Sequence, residues 1–253
     1  MAPSKRGLGW PWDNPKTAFA IFEPSIHNEH ITWLFNWELW TPEGLPAGFP
    51  HVPQVRLGSQ AAQIDKSLAP LGVDKVGHLI GFNEPEMPFE SDMSVADGVK
   101  LWKEYVLPAK SKYHFRLGSP AMSNSPKGKK WLQDFVHELR GVDGAKLDFI
   151  VCHWYGTDIG DFKRFVQDMH DTFKKPIWLT ELAYTHLNAA QQPTEQQVLA
   201  FEKEALSFLD QQQWVERYAW FGAKMDVGKM VGSANDLSMG GHLTEVGKVY
   251  CNA

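Results

Sequence analysis

The 253 residues are enough for one large domain or two small ones, and this length also suits a single barrel of eight β/α units. Twenty-five basic and 30 acidic residues give a formal net charge of −5, which argues against nucleic acid or a membrane as a partner. Two cysteines exclude a disulfide scaffold, although one bond between Cys152 and Cys251 stays open. The 11 tryptophans either fill the core or line a sugar-binding cleft.

Short runs of β-branched and aromatic residues predict eight strands, most of which lead into Gly, Asn or Glu. In chain order the strands are residues 6–10, 31–38, 52–57, 78–83, 114–119, 147–153, 176–181 and 216–221. Helical periodicity follows in residues 15–22, 59–71, 94–109, 128–140, 159–173, 194–212 and 244–250. Residues 40–50 contain too much Pro and Gly for a helix, so the second outer helix is expected to be irregular or missing.

Alternating strands and helices predict a parallel sheet with helices outside, and eight strands over this length favour a single (β/α)8 TIM-type barrel. We expect one catalytic domain over residues 1–253, with residues 1–5 disordered or foreign to the natural protein. The first residues contain no apolar signal core, and no apolar run reaches the ~18 residues of a transmembrane helix. If the natural protein is secreted, its signal peptide is not in this sequence.

Two of the predicted strands deliver a glutamate to the same rim of the barrel. Glu84 follows the fourth strand and Glu181 ends the seventh, so the two carboxyl groups are expected to face each other across the mouth. Retaining glycosidases use two carboxyl groups ≈5–5.5 Å apart. Asn83 lies beside Glu84, where its amide is able to hydrogen-bond a sugar 2-hydroxyl. Taken singly, each glutamate also fits a helix N-terminus or a rim salt bridge.

The segment Asn83-Glu84-Pro85, with a glutamate ending the seventh strand, is similar to the pattern of clan A glycoside hydrolases. Three longer motifs resemble glycoside hydrolase family 128, a family of compact β-1,3-glucanases: residues 81–86 (GFNEPE), 153–156 (HWYG) and 178–181 (WLTE). The resemblance runs from residues 7–10 to residues 243–244, nearly the whole chain. It implies that Glu84 is the acid/base and Glu181 the nucleophile.

Aromatic residues and a histidine cluster at or just after the predicted strand ends. His153, Trp154 and Tyr155 close the sixth strand and are expected to contact the substrate, and strand alternation places His153 and Tyr155 on one face. Tyr155 is predicted to donate its hydroxyl to the nucleophile. We expect at least three of seven aromatic residues to line one groove across the two glutamates: Trp10, Trp12, Trp37, Trp40, Trp154, Tyr155 and Trp220. Each of them also has a core-packing interpretation. Glu38 and Glu86 are rival carboxylates without the opposed geometry.

These patterns and the resemblance predict a retaining hydrolase that cleaves β-1,3-glucan internally by double displacement. Glu84 is expected to have a raised pKa and Glu181 a low one. Two alternatives stay open: the same chemistry on β-1,4-glucan, mannan or galactan, and a barrel that binds β-glucan without cutting it. No cofactor or metal is expected, and the protein is expected to be a secreted or cell-wall monomer whose partner is a β-glucan polysaccharide or oligosaccharide.

Overall fold

Seven parallel strands form the central sheet of the computed structural model, which describes residues 4–223 and 227–252. They are β1 (Arg6–Gly9), β2 (Trp33–Phe35), β3 (His78–Leu79), β4 (Arg116–Met122), β5 (Phe149–Gly156), β6 (Ile177–Tyr184) and β7 (Val215–Trp220). Their order is β2-β1-β7-β6-β5-β4-β3, so the first and last strands pair in the middle of a curled sheet. A short antiparallel pair, β8 (Ser238–Met239) and β9 (His242–Leu243), lies outside it. The predicted parallel sheet is confirmed.

The predicted strand at residues 52–57 is not formed as a strand. Its segment instead makes two isolated parallel bridges, His51 to Leu34 beside β2 and Gln54 to Ile80 beside β3. Pro50 and Pro53 lack the backbone N–H that a continuous ladder needs, which explains why the pairing is interrupted. The two edge strands are therefore linked through this segment by isolated bridges, and a complete eight-strand ladder is absent from the described residues.

Helices cover the outer face of the sheet wherever the sequence predicted them. They are α1 (Phe19–His27), α2 (Ile64–Leu68), α3 (Val95–Leu101), α4 (Leu107–Tyr113), α5 (Pro126–Glu138), α6 (Ile159–Phe173), α7 (Glu195–Gln211), α8 (Gly228–Val231) and α9 (Glu245–Asn252). A π-helical turn, Trp102–Val106, joins α3 to α4 and makes one long element of the predicted residues 94–109. No helix forms in residues 40–50, as their Pro and Gly content predicted.

The buried apolar residues form an outer layer, between sheet and helices, and an inner layer inside the curl. The inner layer is rich in aromatic residues: Trp33, Phe35, Val52, Ile80, Ala121, Phe149, Val151, Trp178 and Ala219. Trp33 lies so close to β1 that a Cβ on Gly7 would stand 2.2 Å from its ring, so only glycine fits there. The Arg217 guanidinium lies over the rings of Trp33 and Trp178, 5.3 and 4.5 Å from their centroids. These cation–π contacts stabilise its positive charge inside the curl of the sheet.

The first described residues are held to the fold, and both cysteines are free thiols. Ser4 and Lys5 are fixed by hydrogen bonds to the carbonyls of His30 and Leu209, whereas residues 1–3, also expected to be disordered, lie outside the described residues. Cys152 and Cys251 are both free and buried, so the disulfide left open by the sequence is not formed. Within residues 4–223 and 227–252, no helix is long and apolar enough to cross a membrane.

Candidate active site

The two predicted catalytic glutamates lie at the carboxyl ends of β3 and β6. Glu181 is inside β6 and its residue is only 7% exposed, whereas Glu84 follows β3 in a tight turn. The Glu84 backbone has a φ of +39°, which is uncommon for a residue with a side chain and costs on the order of 1–3 kcal/mol. Its N–H donates to the carbonyl of Ala121 at 2.8 Å and its carbonyl accepts from Met87 at 2.9 Å, which holds the turn in place.

A buried histidine lies between the two glutamates. His153 Nδ1 is 2.7 Å from Glu84 Oε1 and 3.4 Å from Glu181 Oε2, and its Nε2 is 3.0 Å from Thr180 Oγ1. One oxygen of each glutamate and one ring nitrogen of His153 lie within 4.8 Å of one another. The two carboxyl groups are therefore opposed at short range, with an imidazole bridging them from beneath.

Two further donors are directed at Glu181. Tyr155 Oη donates to Glu181 Oε2 at 2.6 Å, and Trp37 Nε1 donates to Glu181 Oε1 at 2.8 Å. Alternation along β5 brings Tyr155 to the same side as His153. Trp37 follows β2 with a φ of +56°, a second strained backbone position beside the glutamates. Each carboxylate oxygen of Glu181 thus accepts at least one hydrogen bond.

Burial and the charges of neighbouring groups together set the pKa values of Glu181, His153 and Tyr155. Burial raises the pKa of Glu181, and Glu84 raises it further, against the opposing effects of His153, Tyr155 and Trp37. Burial would lower the pKa of His153, but Glu181 and Glu84 outweigh it and raise that pKa to about 9. Burial and Glu181 raise the pKa of Tyr155 well above its usual value, so the phenol stays a donor. The expected low pKa of Glu181 is not met, because burial outweighs the three groups that favour its carboxylate.

Among the described residues, Glu84, His153 and Glu181 are also the one group whose spacing would suit a metal ion. Both ring nitrogens of His153, however, are within hydrogen-bond distance of Glu84 and Thr180, and Glu181 already accepts from Tyr155 and Trp37. To coordinate a metal ion, His153 and Glu181 would have to give up these hydrogen bonds. The donor set therefore suits proton transfer and nucleophilic attack better than metal binding.

A cleft of about 750 Å³ opens above the glutamates. Three of the seven aromatic residues singled out from the sequence line it: Trp12, which is 73% exposed, Trp37 and Tyr155. Asn83 also lines the cleft, and its side chain accepts from Gln54 and donates to Glu90, both at 3.2 Å. The cleft thus combines opposed carboxyl groups with aromatic and amide surfaces suited to a sugar chain.

The other predicted substrate-contacting residues lie elsewhere. Trp10, Trp154 and Trp220 are at most 3% exposed and belong to the outer core layer. Trp10 stacks on Phe19 of α1 and Trp154 on Phe201 of α7, because their side chains leave the strands on the helix side. Trp40 is 45% exposed but does not line the cleft. The expected contact of His153 with the sugar is not possible, because His153 is fully buried. It contacts Glu84 and Glu181 instead.

Glu38 and Glu86, the rival carboxylates, are engaged in other contacts. Glu38 pairs with Arg56 at 3.3 Å and accepts from Gln60 at 2.7 Å. Glu86 Oε1 accepts from the backbone N–H of Ser123 at 3.0 Å. Glu38 lines the cleft, so it remains a candidate for contact with the substrate, whereas Glu86 does not line it.

Several lining residues were not identified from the sequence: Asn36, Arg56, Met87, Glu90, Asn124, Leu187 and Phe221. Phe221 makes edge contacts with Trp37 and Tyr155, with ring centroids 5.9 and 5.7 Å apart. It follows Trp220, the residue chosen instead, and strand alternation would have placed the two on opposite faces. The others lie in loops, where the sequence offers no comparable signal.

Comparisons with known proteins identify the family of this chain. The model of the glycosyl hydrolase catalytic core family matches residues 7–250. A curated relative, alkali-sensitive linkage protein 1 of Schizosaccharomyces pombe, is 33% identical over 249 residues, which is 97% of this chain and 44% of that protein. The chain therefore spans less than half the length of the curated relative that it matches.

Solved structures of glycoside hydrolase family 128 are similar over the whole chain. A curdlan-specific exo-β-1,3-glucanase from Blastomyces gilchristii, in complex with glucose, is 30% identical with a TM-score of 0.78, covering 98% of each chain. An endo-β-1,3-glucanase from Amycolatopsis mediterranei, in complex with laminarihexaose, is 26% identical with a TM-score of 0.78, covering 99% of each. An exo-β-1,3-glucanase from Aureobasidium namibiae shares the fold at a TM-score of 0.83 and 22% identity, covering 100% of this chain and 98% of that one. The predicted resemblance is confirmed, and the chain belongs to the glycosyl hydrolase catalytic core family.

Proposed function

We propose that this protein is a retaining β-1,3-glucan hydrolase in which Glu84 is the acid/base and Glu181 the nucleophile. The observation that carries the proposal is the short approach of the two glutamates in one cleft, with an oxygen of each within 4.8 Å of the other. A spacing of this size favours the ≈5–5.5 Å of retaining enzymes over the ≈6.5–9.5 Å that leaves room for a water in inverting enzymes.

The hydrogen bonds support this assignment of the two roles. Glu181 accepts from Tyr155 and Trp37, and such donors stabilise the ionised form that a nucleophile needs. The Glu84 side chain is 13% exposed and lines the cleft, and its carboxyl group makes one side-chain hydrogen bond within the described residues, with His153, which leaves its other oxygen for a glycosidic oxygen. Asn83 directly precedes Glu84 in the cleft and is suited to a sugar 2-hydroxyl.

The reaction proceeds in two displacements. Neutral Glu84 protonates the glycosidic oxygen while ionised Glu181 attacks the anomeric carbon, so the bond to the leaving group breaks and a glycosyl ester of Glu181 forms. Ionised Glu84 then takes a proton from water, whose oxygen attacks the anomeric carbon and breaks the ester. Two inversions give net retention, and both side chains return to their starting protonation states.

The substrate assignment rests on the relatives and on the shape of the cleft. Family 128 relatives that are 26–30% identical are β-1,3-glucanases. We further propose internal cleavage, because the long segment at residues 40–50, which would block one end of the cleft if it folded across it, does not line the cleft. It lines a separate cavity of about 660 Å³ with His78 and Arg217.

The closure of the sheet and the location and partners of the protein are also proposed. The sheet is proposed to close as an eight-position barrel through His51 and Gln54, whose bridges reach both edge strands. The protein is proposed to act as a secreted or cell-wall monomer on neutral β-glucan, with neither nucleic acid nor membrane as a partner. The net charge of −5 supports this proposal, because a negatively charged protein is repelled by nucleic acid and by anionic lipid.

A panel of polysaccharides tests the proposed function. Reducing ends released from laminarin, β-1,4-glucan, mannan and galactan are measured for the native protein and for Glu181→Gln. We expect release from laminarin alone, as a series of oligosaccharides, and none from the variant. Release mainly as glucose would contradict internal cleavage, and activity on another polymer would change the substrate. Binding of laminarin without any release would support the non-catalytic alternative.

A further inference from the structure

The environment of His153 is unusual for a histidine beside a sugar-binding cleft. It is fully buried at the centre of β5, beneath the cleft rather than in its wall. Its two ring nitrogens have different neighbours: Nε2 lies 3.0 Å from Thr180 Oγ1, and Nδ1 lies 2.7 Å from Glu84 Oε1. Thr180 therefore fixes the ring orientation, and the nitrogen that faces Glu84 cannot turn away.

The groups that face His153 are predominantly acidic. Glu84 and Glu86 come from the segment after β3, and Glu181 comes from β6. Tyr155, which contacts the same Glu181 oxygen as His153, stays neutral because burial and Glu181 raise its pKa well above its usual value. The basic side chain that lines the cleft above, Arg56, pairs with Glu38 at 3.3 Å. A protonated imidazole would therefore lie directly against two carboxyl groups, 2.7 Å from Glu84 and 3.4 Å from Glu181.

We propose that His153 is a positioning residue that shares one proton with Glu84 across their contact and stores it for the acid step. This inference rests on the proposed function. In one form the proton is on Nδ1 and Glu84 is a carboxylate. In the other, the N–H bond at Nδ1 breaks, an O–H bond forms at Glu84 Oε1, and the opposite charges cancel. The proton on Nε2, which donates to Thr180, is unaffected.

Rotation of the protonated Glu84 carboxyl group then brings its O–H toward the cleft, where it protonates the leaving group. After this step His153 is neutral and Glu84 is a carboxylate, ready to take a proton from the attacking water. That proton restores the pair, so the stoichiometry balances over one turnover. His153 never contacts the sugar, and its effect is exerted through Glu84 and, electrostatically, through Glu181.

This arrangement predicts how His153 shapes the pH dependence of the reaction. On the alkaline side, the pair keeps its proton until His153 titrates, with a pKa raised to about 9 by Glu181 and Glu84 against burial. On the acid side, His153 lowers the pKa of Glu181, whose overall shift is upward because of burial. Removing the imidazole should therefore narrow the pH range of activity at both its acid and its alkaline limit.

The test uses His153→Asn, which places a neutral amide near the position of Nδ1. The pH profile of kcat/KM on laminarin is compared with that of His78→Asn, a control at the opposite end of the barrel. We expect the acid limb of His153→Asn to move up and the alkaline limb to move down, each by about one pH unit or more, since a nearby opposite charge shifts a pKa by ~1–3 units. His78→Asn should leave both limbs in place. A uniform loss of rate with unchanged limbs in His153→Asn would overturn the proposal.

A second measurement covers the case in which His153→Asn does not fold. The ring nitrogens of His153 are followed by ¹⁵N NMR against pH in the native protein and in Glu84→Gln. The deprotonation midpoint should fall by about one pH unit or more when the carboxylate is removed, and an unchanged midpoint would overturn the shared proton. This readout does not depend on turnover. If Glu84→Gln and Glu181→Gln both retain full hydrolysis, the proposed function fails, whatever the histidine does.

Discussion

A buried glutamate far from the active-site residues offers the sharpest test of the core. Glu202 lies on α7, is fully buried, and has no hydrogen-bond partner for either carboxyl oxygen among the described residues. Burial raises its pKa from 4.5 to about 9, against smaller lowering effects of Arg6 and Lys203. At neutral pH the folded protein therefore holds a protonated Glu202, which the unfolded chain ionises.

This difference has a calculable effect on stability. Because the pKa of Glu202 is raised in the folded protein, its contribution to the free energy of unfolding is fully present below about pH 4.5. This contribution is lost as the pH rises toward 9. Each pH unit in that window costs about 1.4 kcal/mol, so by pH 7 the native state has lost about 3 kcal/mol. Glu202→Gln keeps the shape of the side chain and removes the ionisation, so it should raise the free energy of unfolding at pH 7 by about that amount.

Denaturant unfolding at pH 5 and at pH 8.5 measures this effect. The increase in the free energy of unfolding caused by Glu202→Gln should be small at pH 5 and should grow as the pH rises. Glu204→Gln on the same helix serves as the control, because Glu204 forms an exposed ion pair with Lys163 that contributes ~1 kcal/mol or less. If Glu202→Gln is no more stable than the native protein at pH 8.5, the argument from unpartnered burial is refuted.

Three further predictions concern the cleft. Tyr155→Phe removes the 2.6 Å donor to Glu181 and should lower kcat about 10- to 100-fold, measured on laminarin, with little change in KM. Trp37→Phe keeps an aromatic ring but loses the other donor to Glu181, so kcat should again fall more than KM rises. Trp12→Ala, at a 73% exposed position, should raise KM about fivefold without loss of folding stability, whereas Trp220→Ala in the core should cost about 3–5 kcal/mol in denaturant unfolding.

The sequence predicted well which segments form strands and helices, whereas several strand ends differ, since β5 and β6 each continue three residues beyond their predicted ends. The helix at residues 159–173 has the predicted bounds, because Asp158 caps its first turn and the apolar residues repeat at helical spacing. Glu84 and Glu181 lie at one rim because parallel strands carry both, Glu84 shortly after β3 and Glu181 in the carboxyl-terminal half of β6. The seven parallel strands were predicted for the same reason, each being a short apolar run bounded by turn residues.

Long-range contacts explain what the sequence did not predict. The failure of residues 52–57 to pair continuously depends on two prolines meeting two edge strands that come from distant parts of the chain. Trp154 and Trp220 were proposed at the cleft from their positions alone, and only the packing of α7 shows that they face outward. The contact of His153 with Glu84 joins residues 69 positions apart, and no local pattern encodes it.

The roles of the two glutamates are tested most directly by azide rescue. Glu84→Gln and Glu181→Gln are each given an aryl β-laminaribioside whose leaving group needs no protonation, with sodium azide, and the product is identified by ¹H NMR. The account predicts that azide restores turnover of Glu84→Gln through the Glu181 ester, giving the β-glycosyl azide. It predicts that Glu181→Gln forms no such ester and yields, at most, the α-azide. The reverse pattern, in which Glu181→Gln gives the β-azide and Glu84→Gln the α-azide, would contradict the assignment.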